Sequence, residues 1–321
     1  MEAETFERVY PLGALSEREA ADIKVDPFCT DQVTLDELIE DWKVKSKTFQ
    51  SRLPRSLGAS DREILPLEAS PETRKKIETL LTACRPYLPS VYTIGLVPIE
   101  KLISAQRFVE PAHARRAFNG MTRPLTDEEN AEHCLGNPIR DVRIDGSFLG
   151  SNDAEGMTEF VYNYQFSSDD PNVRFIPPMP LKPMQDLNNS MGNGGTEWKV
   201  KSVPISVGPG LPFVHVLKVP VYIDNATREP VHRLLISNGF HRIFRLAELG
   251  NTHAAALIQT MDARELPERY IMAPRESLFA PNALKLTDLL DKEITRSFAW
   301  KKSKRVIRLM IKVVQDVMLV G

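Results

Sequence analysis

The segment LISNGFHRIFRLAELG, residues 235–250, decides the fold because it joins a strand pattern to a helix pattern through a tight turn. The apolar run ends at Asn238 and Gly239, two residue types that favour turns and tolerate positive φ. A helical pattern then runs to a terminal glycine, a common helix end. The cations that open this helix, His241 and Arg242, are unexpected there because the helix dipole repels positive charge at its first turn.

A bound anion would remove this conflict. A strand, a glycine turn and a helix in this order direct the free backbone N–H groups of the first helical turn outward, a geometry that binds phosphate. We therefore predict a phosphate-binding site formed by Asn238, Gly239, His241 and Arg242. A structural alternative stays open, in which His241 and Arg242 pair with carboxylates of a neighbouring element.

Two separated segments resemble the ParB/sulfiredoxin superfamily. Residues 237–250, SNGFHRIFRLAELG, are similar to its signature, in which Gly-x-His-Arg or Gly-Glu-Arg-Arg precedes a helix that runs to Leu-Gly. Residues 95–109, GLVPIEKLISAQRFV, resemble its opening strand and the pattern that follows. The resemblance covers residues 91–109 and 213–260 and implies a small α+β nucleotide-binding domain in which the Gly-x-His-Arg segment holds phosphates.

Members of this superfamily include partition proteins that bind CTP, reductases and kinases that use ATP or ADP, and nucleases. Sulfiredoxin-like reductases need a cysteine where this chain has Phe240, so we do not expect that activity. Partition proteins have arginine in place of His241 and continue into a helix-turn-helix, which we do not find after residue 260. The Gly-x-His-Arg form is closest to the kinase-like members and to uncharacterised mobile-element members.

In the kinase-like members an acidic residue after the first strand is the general base. The resemblance gives this catalytic role to Glu110 or Glu100, with His241 stabilising charge on the phosphoryl oxygens. Most glutamates are simply exposed, so the alternative for both is a surface carboxylate.

The predicted fold class is α+β, a ParB/sulfiredoxin-like mixed sheet with helices that is split by a large β/loop insertion. The predicted divisions are a helical N-terminal extension at 1–90, the ParB/sulfiredoxin-like domain at 91–262 with an insertion at about 110–212, and a C-terminal extension at 263–321.

Local patterns predict individual elements. Thr34 and Ser70 are N-cap candidates for two helices. The other predicted elements are strands at 91–97, 160–166, 198–207, 213–223 and 233–237, a helix at 242–249, a strand or short helix at 254–260, a helix near 284–294 and a closing strand from 305.

Composition excludes several classes of protein. No apolar run reaches the roughly 18 residues of a membrane span, and the acidic start is unlike a signal peptide, so we expect a cytoplasmic protein without a membrane partner. The three cysteines form no CxxC pair and the histidines lack ligand spacing, so we expect no metal site built from them. The P-loop sequence is missing as well.

A basic cluster near the end, Lys301, Lys302, Lys304 and Arg305, could contact nucleic acid. The alternative is an ordinary solvated face.

A second pattern is weaker. Glu197 and Lys199 would share one face of a strand and, with Asp186 upstream, resemble the acid-x-Lys pattern of metal-dependent nucleases.

The sequence thus predicts a protein that binds phosphates of a nucleotide or of DNA. The setting that the resemblance implies is a bacterial mobile element, a plasmid or an antiphage defence system. The implied cofactor is a nucleoside triphosphate, ATP or CTP, with Mg²⁺, and a protein partner subunit is expected. If a reaction is catalysed, the classes left open are an NTPase or kinase-like phosphotransfer and metal-dependent nuclease cleavage. The alternative is a non-catalytic scaffold subunit that docks through the insertion and the acidic N-terminus.

Overall fold

A computed structural model describes residues 5–53, 55–85, 88–116, 118, 120–136, 143–154, 157–168, 173–176, 206–209, 213–224, 226, 228–301 and 305–315. The chain forms two compact units. The first unit comprises Met1–Pro138 and Leu211–Lys302, and the second comprises Ile139–Gly210 and Ser303–Gly321. Helices and mixed strand pairings occur together, so the predicted α+β class is confirmed.

The first unit is built on a six-stranded sheet. Its strands are β2 (Ala59–Ser60), β3 (Thr93–Pro98), β4 (Leu102–Ile103), β9 (His215–Ile223), β10 (Pro230–Asn238) and β11 (His253–Thr260). The order is β2-β10-β9-β11-β3, and β4 also pairs with β10. The β9–β11 and β10–β4 pairs are parallel and the others antiparallel. The strands predicted at 91–97, 213–223 and 233–237 are confirmed, and 254–260 is a strand.

Helices cover this sheet and its flanks. They are α1 (Glu17–Val25), α2 (Leu35–Gln50), α3 (Pro71–Cys84), α4 (Pro111–Arg116), α5 (Asp127–Leu135), α6 (Phe240–Glu248) and α7 (Arg275–Phe279). Thr34 and Ser70 cap α2 and α3, as predicted, because each side chain accepts a hydrogen bond from the backbone N–H three residues later. Helix α6 corresponds to the helix predicted at 242–249.

The sheet separates two hydrophobic cores. Leu234 and Ile236 of β10 belong to one buried cluster together with the apolar face of α6. Leu235 belongs to another cluster, with Leu217 and Val219 of β9. Because successive side chains of a strand point to opposite faces, the two clusters lie on opposite sides of the sheet. Helix α6, whose first residues belong to the candidate site, is therefore held in place by its buried apolar face.

A third cluster joins the two ends of the first unit. Strand β1 (Thr5–Tyr10) pairs antiparallel with β14 (Arg296–Lys301), from Thr5↔Lys301 to Tyr10↔Arg296. Phe298 and Trp300 are buried in this cluster with the N-terminal helices. The predicted helical N-terminal extension at 1–90 also contains strand β1, which was not predicted from the sequence because its partner is too distant in sequence for a local pattern to show.

The second unit contains a three-stranded antiparallel sheet. Its strands are β5 (Arg143–Ala154), β6 (Met157–Ser168) and β15 (Arg305–Gln315), in the order β15-β6-β5. Strands β7 (Val173–Ile176) and β8 (Ser206–Pro209) form a separate pair. The strands predicted at 160–166 and from 305 are confirmed within β6 and β15. Strand β15 near the C-terminus therefore pairs with a strand from residues 110–212, the range of the predicted insertion.

The unit boundaries differ from the predicted divisions. Helices α4 and α5, at the start of the predicted insertion, belong to the first unit. The Asn130 amide of α5 donates to His253 O (2.9 Å) and its carbonyl oxygen accepts from Ala255 N (3.0 Å), which ties this helix to β11. The predicted C-terminal extension is divided between the two units at residue 302.

The helix predicted near 284–294 is wrong. Only a 3-10 turn forms there, at Leu286–Leu290. Asp288 Oδ2 accepts from the backbone N–H of Lys285 (2.8 Å), and Asp291 takes an extended conformation that ends the turn. Aspartate side chains that bond to the local backbone compete with a continuous helix.

Several predictions fall on residues outside the described ranges. These are Asp186, Glu197 and Lys199 of the nuclease-like pattern, Lys302 and Lys304 of the basic cluster, and the strand predicted at 198–207 except for its last two residues. Strand β12 (Arg269–Tyr270) pairs antiparallel with β13 (Ala273–Pro274). Among the helices of the described residues, none has the length and apolar character needed to cross a bilayer.

We expect Gly239→Ala to destabilise the first unit. Gly239 has φ of 84°, and a Cβ there would lie 2.6 Å from Val214 Cγ2 and 2.9 Å from Val214 Cα. Backbone strain and overlap together predict a loss of about 2–4 kcal/mol in the free energy of unfolding, measured by urea denaturation. Gly120→Ala is the matched control, since Gly120 has φ of 79° and no heavy atom within 4 Å of its Cβ position. That variant should lose only about 1 kcal/mol. Equal losses in both variants would contradict the role of Val214.

Candidate functional site

The turn between β10 and α6 has the geometry predicted for an anion site. Gly239 is the N-cap of α6 in the left-handed conformation and supplies no side-chain cap. The first backbone hydrogen bond of the helix runs from Ile243 N to Gly239 O (3.0 Å). N–H groups that precede this bond have no acceptor within the helix. Asn238 Nδ2 donates to Phe213 O (2.5 Å), so the side chain of Asn238 holds the turn against the start of β9.

Arg242 has a structural task that the sequence did not reveal. Its Nη1 donates to Cys134 O (3.1 Å) and to His133 O (3.3 Å), at the C-terminus of α5. Carbonyls at a helix end lack partners within the helix and carry the negative end of its dipole. Cys134 O also accepts from Val214 N (2.8 Å). The positive charge at the start of α6 is therefore offset by the end of α5.

His241 has a different environment. Its ring packs edge-on against His113, with ring centroids 4.7 Å apart, and against Phe240 at 5.4 Å. His241 Nε2 is sealed from solvent and has no hydrogen-bond partner among the described residues. Burial, reinforced by the nearby charges of His113 and Arg8, lowers the pKa of His241 to about 3. The imidazole is therefore neutral at physiological pH, with a buried polar atom unused.

Arg8 is the fixed positive charge beside this ring. Its Nε donates to Glu110 Oε1 at 3.0 Å. Its guanidinium lies over Phe108 (4.3 Å) and Trp300 (4.4 Å), and also near Phe6 (5.1 Å). Aromatic faces attract a guanidinium and restrict its motion. Arg8 therefore presents a positioned charge, which a mobile surface arginine would not.

Helix α4 connects the predicted general base with the predicted phosphate site. Glu110 immediately precedes α4, and His113 lies one turn further along the chain, where it contacts His241. Arg115 of α4 donates to Glu248 Oε1 of α6 at 2.6 Å, which holds the two helices together. Glu110 thus contacts Arg8, and His241 lies near the charge of Arg8 and contacts His113. We call Arg8, Glu110, His113 and His241 the His241 cluster.

The other predicted site residues do not join this cluster. Glu100 is exposed, and its ion-pair partner is Lys101 at 4.0 Å. Lys301 ends β14 in the first unit, whereas Arg305 begins β15 in the second. The predicted basic cluster is therefore divided between two units at the residues that the structure describes.

The acidic N-terminal segment, predicted to dock onto a partner, uses some of its carboxylates internally. Glu19 and Glu37 close capping boxes at the starts of α1 and α2. Asp41 Oδ2 accepts from Arg296 Nη1 of β14 at 2.9 Å. These contacts stabilise the first unit and leave less negative charge for a partner.

Arg8 and His113 are the residues that the sequence reasoning missed. A helical reading of residues 110–116 would have placed His113 on the same face as Glu110, because residues three apart are neighbours on a helix. Arg8 gave no local signal. It reaches the site only because Val9 pairs with Val109 across the chain.

The described residues contain no group of three or more His, Cys, Asp or Glu side chains arranged to hold a metal ion. Comparison with known proteins found no family model, curated protein or solved structure that matches the chain. Function therefore has to be inferred from the chain's own residues.

We expect Arg242→Met to destabilise the first unit through loss of the contact between α6 and α5. Removing charge-assisted hydrogen bonds to two carbonyls predicts a loss of about 1.5–3 kcal/mol in the free energy of unfolding, by urea denaturation. Arg264→Met is the control, since Arg264 is exposed and pairs with its neighbour Asp262. The control should change stability by at most about 0.5 kcal/mol. An Arg242→Met variant as stable as the control would exclude the capping role.

The low pKa of His241 predicts how stability depends on pH. The folded value of about 3 lies below the ordinary value of 6.5, so the unfolded chain takes up this proton first as pH falls. The contribution to stability is complete above about pH 6.5 and is lost progressively toward pH 3. As the pH is lowered between those limits, the free energy of unfolding should therefore fall less steeply for His241→Gln than for the wild type. His253→Gln is the control and should follow the wild type. Parallel curves for wild type and His241→Gln would contradict the assigned pKa.

Proposed function

We propose that the protein binds the phosphates of a nucleoside triphosphate, or of a nucleic acid, at the start of α6 beside the His241 cluster. The observation that carries the proposal is His241 Nε2, a buried polar atom without a partner among the described residues. Buried polar atoms nearly always have a hydrogen-bond partner, and an exception calls for an explanation such as a ligand or ion. A phosphate oxygen supplies that partner.

Electrostatics favour an anion over a neutral ligand. Burial is the largest cause of the low pKa of His241, and the charges of His113 and then Arg8 lower it further, so positive potential converges on this ring. The N-terminal end of the α6 dipole adds to this potential. An anion would favour the protonated imidazole and raise the pKa of His241, so binding would be accompanied by proton uptake. Nε2 is covered in this structure, so entry of the ligand requires a small movement of the ring or its neighbours.

Each residue of the predicted phosphate site has a part in this proposal. Gly239 gives the turn its left-handed conformation and lets Val214 pack closely against it, which fixes the position of the first turn of α6. Asn238 and Arg242 hold the turn against Phe213 and the end of α5, so their effect on the ligand is through position and long-range charge. His241 makes the direct contact.

The resemblance to the ParB/sulfiredoxin superfamily supports the same ligand. It points to ATP or CTP with Mg²⁺, the metal being carried by the triphosphate, and to a bacterial mobile-element, plasmid or antiphage setting with a partner subunit. Helix α4, which follows the first of the two motifs, contacts the start of α6 in the second motif through His113 and His241.

A phosphotransfer reaction is the catalytic extension of the proposal. Glu110 would accept the proton of an attacking hydroxyl, the hydroxyl oxygen would bond to the γ-phosphorus, and the nucleoside diphosphate would leave. Arg8 holds the Glu110 carboxylate in a fixed position for this step. Glu100 lacks such a position, so we assign the role to Glu110.

We expect wild-type protein to bind at least one of ATP, CTP and GTP in the presence of Mg²⁺, measured by isothermal titration calorimetry. His241→Ala and Arg8→Met should each weaken binding by about 1.5–3 kcal/mol, the range for a charge-assisted hydrogen bond. Glu110→Gln should bind at least as tightly as the wild type, because it frees Arg8, and should lose any phosphotransfer activity.

Arg264→Met serves as the charge-matched control and should bind as the wild type does. Absence of affinity for all three nucleotides, with normal folding, would overturn the proposal and favour the non-catalytic scaffold. Nucleotide affinity that is unchanged in His241→Ala and Arg8→Met would place the binding site elsewhere.

A further inference from the structure

The first unit contains a partly enclosed cavity of about 390 Å³ away from the His241 cluster. Its walls come from the turn at Leu12–Ala14 and the start of α1, from α2, from the segment after β4, and from the residues around α7. No residue of the His241 cluster lines it. The volume falls in the range of small-molecule sites, roughly 300–1,000 Å³.

One side of this cavity is apolar and rigid. Leu15, Trp42, Leu278 and Leu284 are among its lining residues. Trp42 Nε1 donates to Leu15 O at 2.9 Å, which fixes the indole in the wall. Leu15, Leu278 and Leu284 are already buried, so this wall offers an aliphatic or aromatic body packing contacts on a fixed apolar surface.

The charged side of the cavity is formed by Arg107 and Glu19. Arg107 Nη2 lies 3.3 Å from Glu19 Oε1, a long contact for an ion pair. Glu19 Oε2 accepts from both the backbone N–H and the hydroxyl of Ser16, each at 2.8 Å. Arg107 Nε, by contrast, has no hydrogen-bond partner among the described residues. The Glu19 carboxylate therefore already has hydrogen-bond donors, whereas Arg107 keeps one N–H group, Nε, without an acceptor among the described residues.

We propose that this cavity binds a small organic monocarboxylate. Its carboxylate would take the fork of Arg107 in place of the long contact with Glu19, since guanidinium and carboxylate match in bidentate geometry. Its apolar body would lie against Trp42 and Leu284. Arg107 and Glu19 together carry no net charge. A monocarboxylate therefore leaves one net negative charge in the cavity, and a polyphosphate would leave several, which disfavours polyphosphates here.

Hexanoate is the probe that tests the proposal, with hexanamide and hexan-1-ol as uncharged analogues of the same length. Binding is followed by the fluorescence of Trp42, and Trp42→Phe identifies its signal against the other tryptophans. Hexanoate should bind saturably. The uncharged analogues should bind at least about tenfold more weakly, because they cannot form the charge-assisted hydrogen bond. Equal binding of hexanoate and hexanamide would overturn the proposal.

Two variants test the role of Arg107. Arg107→Met should weaken hexanoate binding at least about tenfold, and Arg107→Lys should retain part of the affinity. Glu19→Gln keeps the capping box, because glutamine also serves at that position, and removes the competing charge. It should bind hexanoate about 3- to 10-fold more tightly than the wild type, a gain of roughly 0.7–1.4 kcal/mol. Arg264→Met, the control, should match the wild type. Folded wild-type and Glu19→Gln proteins that both fail to bind hexanoate saturably would overturn the proposal, even if Arg107→Met does not fold.

Discussion

The close approach of Gly239 to Val214 is the constraint on which the candidate site depends. Only a residue without Cβ fits there, because that atom would overlap both the side chain and the backbone of Val214. The left-handed turn that results ends β10 and starts α6 directly above the start of β9. Val214 in turn bonds through its N–H to Cys134 O at the end of α5 and through its O to Leu257 N of β11. This contact thus links five elements: β10, α6, β9, α5 and β11.

This junction resolves the conflict of positive charge at a helix start in two different ways. Arg242 turns to the carbonyl end of α5, so its charge is offset by the protein itself. His241 instead stays neutral, because burial and the charges of Arg8 and His113 disfavour its protonation. The same segment therefore supplies one structural cation and one imidazole whose Nε2 has no hydrogen-bond partner among the described residues. The second of these is the basis of the proposed phosphate site.

Much of the first unit was predictable because its signals are local. Asn238 and Gly239 mark a turn, Thr34 and Ser70 mark helix starts, and alternating apolar residues mark the central strands. The helix near 284–294 was predicted wrongly because the side chains of Asp288 and Asp291 accept hydrogen bonds from the local backbone in place of the helical pattern. The joining of β15 to β6 and of β1 to β14 could not be predicted, since strand partners far apart in sequence leave no local periodicity.

The candidate site, too, was predictable only where its signals are local. Its turn and His241 were readable from one short segment, whereas Arg8 enters only through a long-range pairing.

The most direct test is the titration of the His241 imidazole by NMR, assigned with His241→Gln, in free protein and with saturating Mg²⁺–ATP or Mg²⁺–CTP. We expect a pKa of about 3 in the free protein and a clearly higher value with bound nucleotide. A free-protein pKa near the ordinary value of 6.5, or curves that coincide with and without bound nucleotide, would contradict this expectation.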